Sequence, residues 1–171
     1  LGSHMLVLAG KAKTPEEGEQ MMKDALESGR GLKKLKEMIA AQGGDPSVCD
    51  DTNRLPQPAL KRTVMCNTEG YVSKMNATGL GLAAQGMGAG RLELDDQLDY
   101  SVGFILPVRV GDRVEKDTVL CTLYAKDEES AAIAEQKIRD AITISTEPCD
   151  PIPDCFAVIT AEGITRFGEH E

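Results

Sequence analysis

The sequence predicts an α+β protein in which a helical segment precedes a region of short strands with packed helices. Before residue 45 the hydrophobic residues recur at helical spacing, whereas after residue 58 short alternating segments are bounded by Gly and Pro. Strands and helices are interspersed there without a regular βαβ repeat, which favours α+β over a doubly wound sheet. The chain has 171 residues, 41% of them hydrophobic, so it is long enough for one sizeable core or for one domain with a piece of another.

The first five residues, which include Gly2-Ser3-His4-Met5, are interpreted as the remnant of a cleaved expression tag and are excluded from the fold prediction. His4 is then artificial, and the other histidine, His170, is the penultimate residue. We therefore expect no histidine in a formed pocket for acid–base catalysis, metal binding or activation of a nucleophile.

The N-terminal region predicts a helical hairpin. Residues 6–9 are apolar and end at Gly10, the expected C-cap of a helix whose body is missing. Thr14-Pro15-Glu16-Glu17 then predicts a helix start, with Thr as the N-cap, Pro at the first position and Glu closing a capping box. This helix is expected to end at Gly29.

A second helix presents Leu32, Leu35 and Ile39 on one face and stops at Gly43-Gly44. The apolar faces of the hairpin are too small to stand alone, so we expect them to pack on another part of a larger domain. Residues 45–58 are rich in Asp, Asn and Pro and are predicted to be a linker.

Two strands are predicted at residues 60–66 and 71–75, separated by a turn at Glu69-Gly70. A helical stripe follows, formed by Leu80, Ala83, Ala84 and Met87. Glycines 79, 81 and 86 lie within or beside this stripe. Because each costs up to about 1 kcal/mol relative to Ala inside a helix, they favour close backbone packing.

Residues 102–110 are predicted to form a strand that Pro107 confines to a sheet edge or a bulge. A turn at Gly111-Asp112 leads to a strand at 118–125. Asp127 is expected to cap a helix whose apolar face contains Ala131, Ala134, Ile138, Ala141 and Ile142. Prolines 148, 151 and 153 predict an extended crossing, residues 156–160 a last strand, and residues 168–171 a frayed tail.

Charge and cysteine content limit the partners and the compartment. A formal net charge of -9 argues against nucleic acid or an anionic membrane as a partner, because both need clustered Lys and Arg. The basic cluster Lys33, Lys34 and Lys36 lies beside Glu37 and is interpreted as a solvated helix face. No apolar run approaches the roughly 20 residues that span a bilayer.

The five cysteines, at positions 49, 66, 121, 149 and 155, form no C-x-x-C pattern. Cys66 and Cys121 fall in predicted strands and are interpreted as small core residues. A zinc site at Cys149 and Cys155 would need two further ligands. We interpret all five as structural and expect a reducing, cytosolic compartment.

Two clusters invite a chemical interpretation. The glycines at 79, 81, 86, 88 and 90 suggest a phosphate loop, but their spacing fits neither the dinucleotide nor the P-loop pattern, and residues 86–90 lie at a helix end that repels anions. Asp95, Asp96 and Asp99 suggest a cation site or a carboxylate pair. We favour structural glycines and solvated or capping carboxylates.

The segment Gly70-Tyr-Val-Ser-Lys-Met75 resembles the lysine hairpin of biotinyl and lipoyl carrier domains, and Gly111-Asp-Arg-Val-Glu-Lys-Asp-Thr-Val-Leu120 resembles one of their turns, with Asp117 where the second Gly would be. A carrier needs its acceptor lysine at a tight hairpin tip. Lys74 is instead followed by three residues and a helix, and Ser73 replaces the flanking Met. We therefore expect a shared barrel-sandwich architecture without the modification.

The stretch Met87-Gly-Ala-Gly-Arg-Leu-Glu-Leu-Asp-Asp-Gln-Leu-Asp-Tyr-Ser-Val-Gly103 joins a glycine-rich turn, an acidic loop and the start of a strand. It resembles the matching part of the pyrimidine-nucleoside and thymidine phosphorylases, which carry a close variant of Gly-Ala-Gly-Arg followed by Asp-Tyr-Ser-Val-Gly. The resemblance runs from Leu6-Val-Leu-Ala-Gly-Lys-Ala12 to about Phe167. It covers only the C-terminal part of such an enzyme.

This resemblance implies a pentosyltransferase that cleaves uridine, thymidine or deoxyuridine with inorganic phosphate, giving the free base and a (deoxy)ribose 1-phosphate. In the family a small helical domain binds the base and a large α/β domain binds phosphate. The motifs that hold both lie upstream of the region matching Leu6. We therefore assign this chain no catalytic, cofactor-binding or metal-binding residue and expect it to be structural and inactive alone.

The resemblance also implies the domain organisation. Residues 6–55 are expected to be helices of the large α/β domain, and residues 56–171 the C-terminal domain, a hammerhead-like, barrel-sandwich-type mixed sheet with packed helices. The implied partners are the rest of the parent enzyme, with its phosphate-binding domain, and a second copy of that parent. Ile164-Thr-Arg-Phe167 departs from the usual family ending and receives no role. A carrier or a stand-alone binding or regulatory module remains the alternative.

Overall fold

The computed structural model describes residues 1–91 and 93–167. The predicted α+β class is confirmed, since the described residues form helices and several antiparallel sheets. The chain divides into two compact units, one of Leu1–Leu55 and one that begins at Pro56. The expected frayed tail at 168–171, including His170, lies outside the described residues.

The first unit contains helices α1 (Gly2–Leu8), α2 (Pro15–Glu27) and α3 (Arg30–Ala41). The interpretation of residues 1–5 as a tag remnant stays a prediction, but residues 2–5 form the first part of α1, which packs on α2. A Cβ atom at Gly18 would lie 2.7 Å from the backbone oxygen of Ser3, so only glycine permits this approach. The helix body before Gly10 is therefore present, and it includes His4.

The capping signals of the first unit are confirmed. The hydroxyl of Thr14 accepts a hydrogen bond from the backbone N–H of Glu17 at 3.3 Å, and the carboxylate of Glu17 accepts one from the backbone N–H of Lys13 at 2.8 Å. Helix α2 ends before Gly29, which adopts a φ of +74°. Such a left-handed residue is the usual way to stop a helix.

The segment predicted to be a linker has more structure than expected. It contains short 3-10 helices at Pro46–Cys49 and Thr52–Arg54. The carboxylate of Asp45 accepts from the backbone N–H of Ser47 at 2.9 Å, and that of Asp51 accepts from Asn53 at 3.0 Å. These Asp residues favour tight turns rather than an open linker.

The second unit is built from eight described strands and two helices, α4 (Ala77–Ala84) and α5 (Glu128–Ala141). The strands are β1 (Leu60–Met65), β2 (Gly70–Met75), β3 (Gly103–Ile105), β4 (Arg113–Val114), β5 (Val119–Ala125), β6 (Ile142–Ser145), β7 (Ala157–Thr160) and β8 (Gly163–Arg166). They form sheets of order β1-β5-β3, β4-β2-β6 and β7-β8. Every described pairing is antiparallel, so the expected mixed sheet was wrong.

Proline limits one strand more severely than predicted. The strand expected at 102–110 is only β3, which ends two residues before Pro107. Because proline has no N–H to donate, the ladder cannot continue through it. The predicted edge position is confirmed, since β3 is the outer strand of its sheet.

Both three-stranded sheets and both helices of this unit contribute to one hydrophobic core. Val64 and Leu123 come from the first sheet, Val72 and Val114 from the second, and all four are at most 2% exposed. The apolar face predicted for α5 is confirmed, since its four helical members are buried in the core region. Ile142, the fifth, begins strand β6 instead of ending the helix.

Candidate functional site

The loop from Met87 to Gly103 is tied together at its base. Gly88 adopts a φ of +106° inside a π-helical turn at Gln85–Ala89, and its carbonyl accepts from the backbone N–H of Asp99 at 3.0 Å. The Asp99 carboxylate then accepts from the hydroxyl and backbone N–H of Ser101, at 2.6 and 2.9 Å. These hydrogen bonds hold the pKa of Asp99 below its ordinary value. Asp99 is thus a turn-forming residue.

The other acidic residues of this loop do not converge on Asp99. The Asp96 carboxylate accepts from the backbone N–H of Glu93 at 2.9 Å, and Asp95 is exposed. In the described ranges 1–91 and 93–167, no group of three or more His, Cys, Asp or Glu side chains is arranged to hold a metal ion. The geometry favours local capping for Asp96 and Asp99.

The glycines of this region have different roles. A Cβ atom at Gly79 would lie 3.2 Å from the Cβ atom of Ala141, which confirms close packing there. At Gly81 an added Cβ would have nothing within 4 Å, so the same expectation was wrong. Helix α4 begins after Asn76, whose side chain accepts from the backbone N–H of Gly79 at 3.1 Å. Glycines 86, 88 and 90 lie at the far end, as predicted.

Lys74 does not have the geometry of a carrier lysine. It is exposed, but it lies in the central strand β2 opposite Thr143 of β6. The second carrier-like segment forms a turn in which the hydroxyl of Thr118 accepts from the backbone N–H of Glu115 at 2.8 Å. A modified lysine must project from a hairpin tip, whereas Lys74 lies near the end of a strand that pairs with β6 and leads into helix α4.

The cysteines are all unpaired, and Cys66 and Cys121 are buried in the core as predicted. Burial raises the pKa of the Cys121 thiol to about 11. Cys149 and Cys155 are held separately: the first thiol donates to the carbonyl of Val72 at 3.2 Å, and the second to that of Ala157 at 3.5 Å. Each of these two thiols therefore contacts a different backbone carbonyl.

Two arginines of the second unit join strand β1 to helix α5. Arg62 pairs with Glu128 and Glu135, and Arg139 pairs with Glu135 at 2.9 Å. Arg139 also donates to the carbonyl of Met65 at 3.0 Å, beside a register shift that interrupts the β1–β5 ladder. Because carboxylates and a carbonyl already occupy these guanidinium groups, they stabilise packing rather than offer an anion site.

Basic residues of the first unit are also paired. Lys34 pairs with Glu37 of the same helix, and Lys36 pairs with Asp50. The Lys34 side chain is 78% exposed, in agreement with the solvated face that the sequence predicts.

A polar groove of the second unit has a volume of about 390 Å³ and is lined by Asn67, Thr68, Gln136, Arg139 and Asp140 with three apolar residues. Arg139 is the guanidinium already engaged by Glu135 and Met65. No buried side-chain nitrogen or oxygen in the described residues lacks a hydrogen-bond partner. The one guanidinium in this groove is therefore already engaged by protein partners.

Large apolar side chains are exposed on both units. In the first unit all three helices carry them, with Leu8 88% and Leu26 74% exposed. The other helical ones are Met5, Met21, Met22, Leu32, Leu35 and Met38, and Leu1 and Leu55 are exposed outside the helices. In the second unit Ile159 is 75% exposed on the last hairpin. Surfaces of this kind are suited to packing against protein. None of the helices in the described part of the chain is long and apolar enough to cross a membrane.

The family model and the known relatives that this chain resembles all belong to one family. Residues 71–145 match the pyrimidine nucleoside phosphorylase C-terminal domain. The chain is 40% identical over 151 residues to the pyrimidine-nucleoside phosphorylase of Bacillus subtilis, covering 88% of this chain and 35% of that protein. It is also 40% identical over 148 residues to the pyrimidine-nucleoside phosphorylase of Geobacillus stearothermophilus, covering 86% of this chain and 34% of that protein. A Staphylococcus aureus relative is 36% identical over 151 residues. The chain spans about a third of the length of these curated relatives.

Proposed function

We propose that this chain, a C-terminal part of the pyrimidine-nucleoside phosphorylase family, is the supporting body of such an enzyme and does not itself carry the reacting groups. The reaction is the phosphorolysis of uridine, thymidine or deoxyuridine to the free base and a (deoxy)ribose 1-phosphate. Catalysis then takes place in the portion of the longer enzyme that corresponds to the other two-thirds of the relatives' length.

The observation that carries this proposal is how two arginines of the second unit, Arg62 and Arg139, are used. Phosphorolysis needs cations and hydroxyls that converge on a phosphate dianion and on a sugar that develops positive charge. Arg62 and Arg139 are instead engaged by Glu128, Glu135 and the carbonyl of Met65. These ion pairs support a role in fixing α5 on β1, which is a task of a scaffold.

The exposed helices of the first unit support the rest of the proposal. Leu8, Leu26 and Met38 are 88%, 74% and 50% exposed, which is more apolar surface than a small helical unit keeps in water without a partner. Residues 6–55 then belong to the phosphate-binding α/β domain of the parent. The second unit is its hammerhead-like C-terminal domain. The parent is a cytosolic homodimer that dimerises outside this chain, and the five unpaired cysteines suit a reducing compartment.

A chimeric enzyme tests the proposal. The amino-terminal two-thirds of the Bacillus subtilis enzyme is joined to this chain, which replaces the matching C-terminal region, and thymidine phosphorolysis is measured. We expect the joined polypeptide to turn over substrate, while the amino-terminal two-thirds alone does not. A joined polypeptide that folds cooperatively yet shows no phosphate-dependent release of thymine would contradict the supporting role.

A further inference from the structure

The last two strands of the chain form a separate hairpin. We define the C-terminal hairpin as β7 and β8 with the flanking Phe156 and Phe167. Its strands pair with each other from Ala157↔Arg166 to Thr160↔Gly163, and the backbone N–H of Phe167 donates to the carbonyl of Phe156 at 2.9 Å. Within residues 93–167, as described, no third strand joins this sheet. A two-stranded hairpin is only marginally stable in water without further packing.

One apolar pair dominates the surface of this hairpin. Ile159 and Ile164 lie directly opposite each other and are 75% and 58% exposed. Opposed residues of an antiparallel pair share one face of the sheet, so the two side chains form a single patch. Phe156 and Phe167 at the open end are 56% and 44% exposed, and strand alternation places them on the opposite face from the two isoleucines. An exposed apolar pair on a two-stranded sheet with free edges is typical of a docking surface.

The charges of the segment that carries the patch indicate the kind of partner. Residues 147–167 contain four acids, Glu147, Asp150, Asp154 and Glu162, and one base, Arg166. Arg109 lies 3.9 Å from Asp154, so these six charged residues leave a net charge of −2. A second copy of the chain would bring the same acidic surroundings to a two-fold contact, and like charges disfavour such an interface. The complementary surface is apolar and rimmed by Lys or Arg.

We propose that the C-terminal hairpin docks on the remaining portion of the longer phosphorylase, against an apolar surface with a basic rim. This inference rests on the proposed function. The relatives that match this chain are about three times as long as the matched region, which covers 35% of the Bacillus subtilis protein. A surface in the same polypeptide is present at an effective concentration of about millimolar, which favours it over a free partner.

Hydrogen exchange followed by mass spectrometry tests the proposal, with this chain alone and with the joined polypeptide described above. In the chain alone, the amides of residues 157–166 are expected to exchange fast. In the joined polypeptide we expect their exchange to slow by at least about ten-fold, because docking adds the packing that a free hairpin lacks. The double variant Ile159→Ser, Ile164→Ser should lose this protection from exchange. The control Leu94→Ser, at a loop residue that is 86% exposed, should keep it.

Three results would overturn the inference. One is a monomeric chain whose hairpin amides are already as protected as those of β5. Another is a folded joined polypeptide with no gain in protection. The third is protection that rises with protein concentration together with a dimer in sedimentation, since the partner is then a second copy. Turnover separates the two proposals: activity without hairpin protection refutes only the docking, and protection without activity refutes only the proposed function.

Discussion

At the scale of single residues, Gly79 and Gly81 show that similar sequence positions can have opposite packing. Both lie in helix α4, and both were expected to allow close backbone contact. A Cβ atom would lie 3.2 Å from Ala141 at the first position and would meet nothing within 4 Å at the second. The sequence pattern around a glycine is similar whether it lies on a buried or on an open helix face. Only the tertiary structure shows which of the two faces Gly79 and Gly81 occupy.

Substituting these glycines one at a time should affect the free energy of unfolding differently. Gly81→Ala is expected to raise the free energy of unfolding by about 0.5–1 kcal/mol, because Ala has less backbone entropy to lose and meets no neighbour. Gly79→Ala is expected to give no such gain, because Ala141 must move. Urea unfolding measures both, and a Gly81→Ala variant less stable than the parent chain would contradict the account.

Cys121 should be chemically silent in the folded protein. It is 0% exposed, and burial raises the pKa of its thiol to about 11, so almost none of it is thiolate near neutral pH. Iodoacetamide labelling with peptide mapping should therefore modify Cys49, which is partly exposed, well before Cys121. After unfolding in guanidinium the two should react alike. Equal labelling rates in the native protein would contradict the described burial.

At the scale of elements, helix α5 fixes the second unit. Its buried stripe contacts strands of the core, and Arg139 reaches the carbonyl of Met65 at the irregular end of β1. Ile138 is fully buried in this stripe, whereas Ile133 on the same helix is 51% exposed. The helix therefore offers two isoleucines that differ in burial.

Truncating the two isoleucines should give different losses. Ile138→Ala is expected to lower the free energy of unfolding by about 2–5 kcal/mol, because it removes buried methyl groups and leaves a cavity. Ile133→Ala should cost less than about 1 kcal/mol, because its side chain is half in water and Ala is the better helix former. Losses of equal size in urea titrations would refute the assigned helix face.

The N-cap of α5 should make the stability of the fold depend on pH in the acidic range. The backbone N–H of Ser130 donates to the Asp127 carboxylate at 2.7 Å and holds its pKa below the ordinary value of 3.8. A depressed folded pKa means that this stabilisation is fully present above the unfolded pKa and is lost as the pH falls through the lower, folded one. Asn at this position still accepts the hydrogen bond but does not titrate.

Melting temperatures of the parent chain and Asp127→Asn should therefore diverge below about pH 4. The parent should lose stability more steeply in that range, whereas the two should differ little near neutral pH. Parallel melting curves down to about pH 2 would show that the cap does not couple folding to this proton.

Elements with strong local signals are the ones that the sequence predicts well. The Thr14 and Asp127 caps and the stripe of α5 depend on side chains a few residues apart, so periodicity and capping patterns reveal them. Strands β4, β6 and β8 were missed because they have two to four residues and gain their pairing from distant partners. Only the end of helix α1 was predicted, because residues 2–5 resemble a tag remnant and their packing on Gly18 leaves no local signal.

The candidate site residues show the same contrast between local signals and contacts with residues distant in the sequence. Local patterns correctly placed glycines 86–90 at a helix end and the Asp99 carboxylate in a turn. No local signal predicts that Arg139 reaches Met65, which is 74 positions away in the sequence. The ion pairs of Arg62 with Glu128 and Glu135 are likewise products of the tertiary fold.

At the scale of the whole molecule, the chain has two compact units with exposed apolar surfaces, and Arg62 and Arg139 are engaged in ion pairs. These features support the proposed role of the chain as the supporting body of a larger enzyme. That role requires the reacting groups to lie in the remainder of the enzyme.

The most direct measurement is phosphate-dependent release of thymine from thymidine by the purified 171-residue chain, with the full-length Bacillus subtilis enzyme as the positive control. The account predicts no release above the enzyme-free background at any phosphate concentration. Turnover that saturates with phosphate, and that survives separation from any contaminating phosphorylase, would place the reacting groups in this chain and contradict the account.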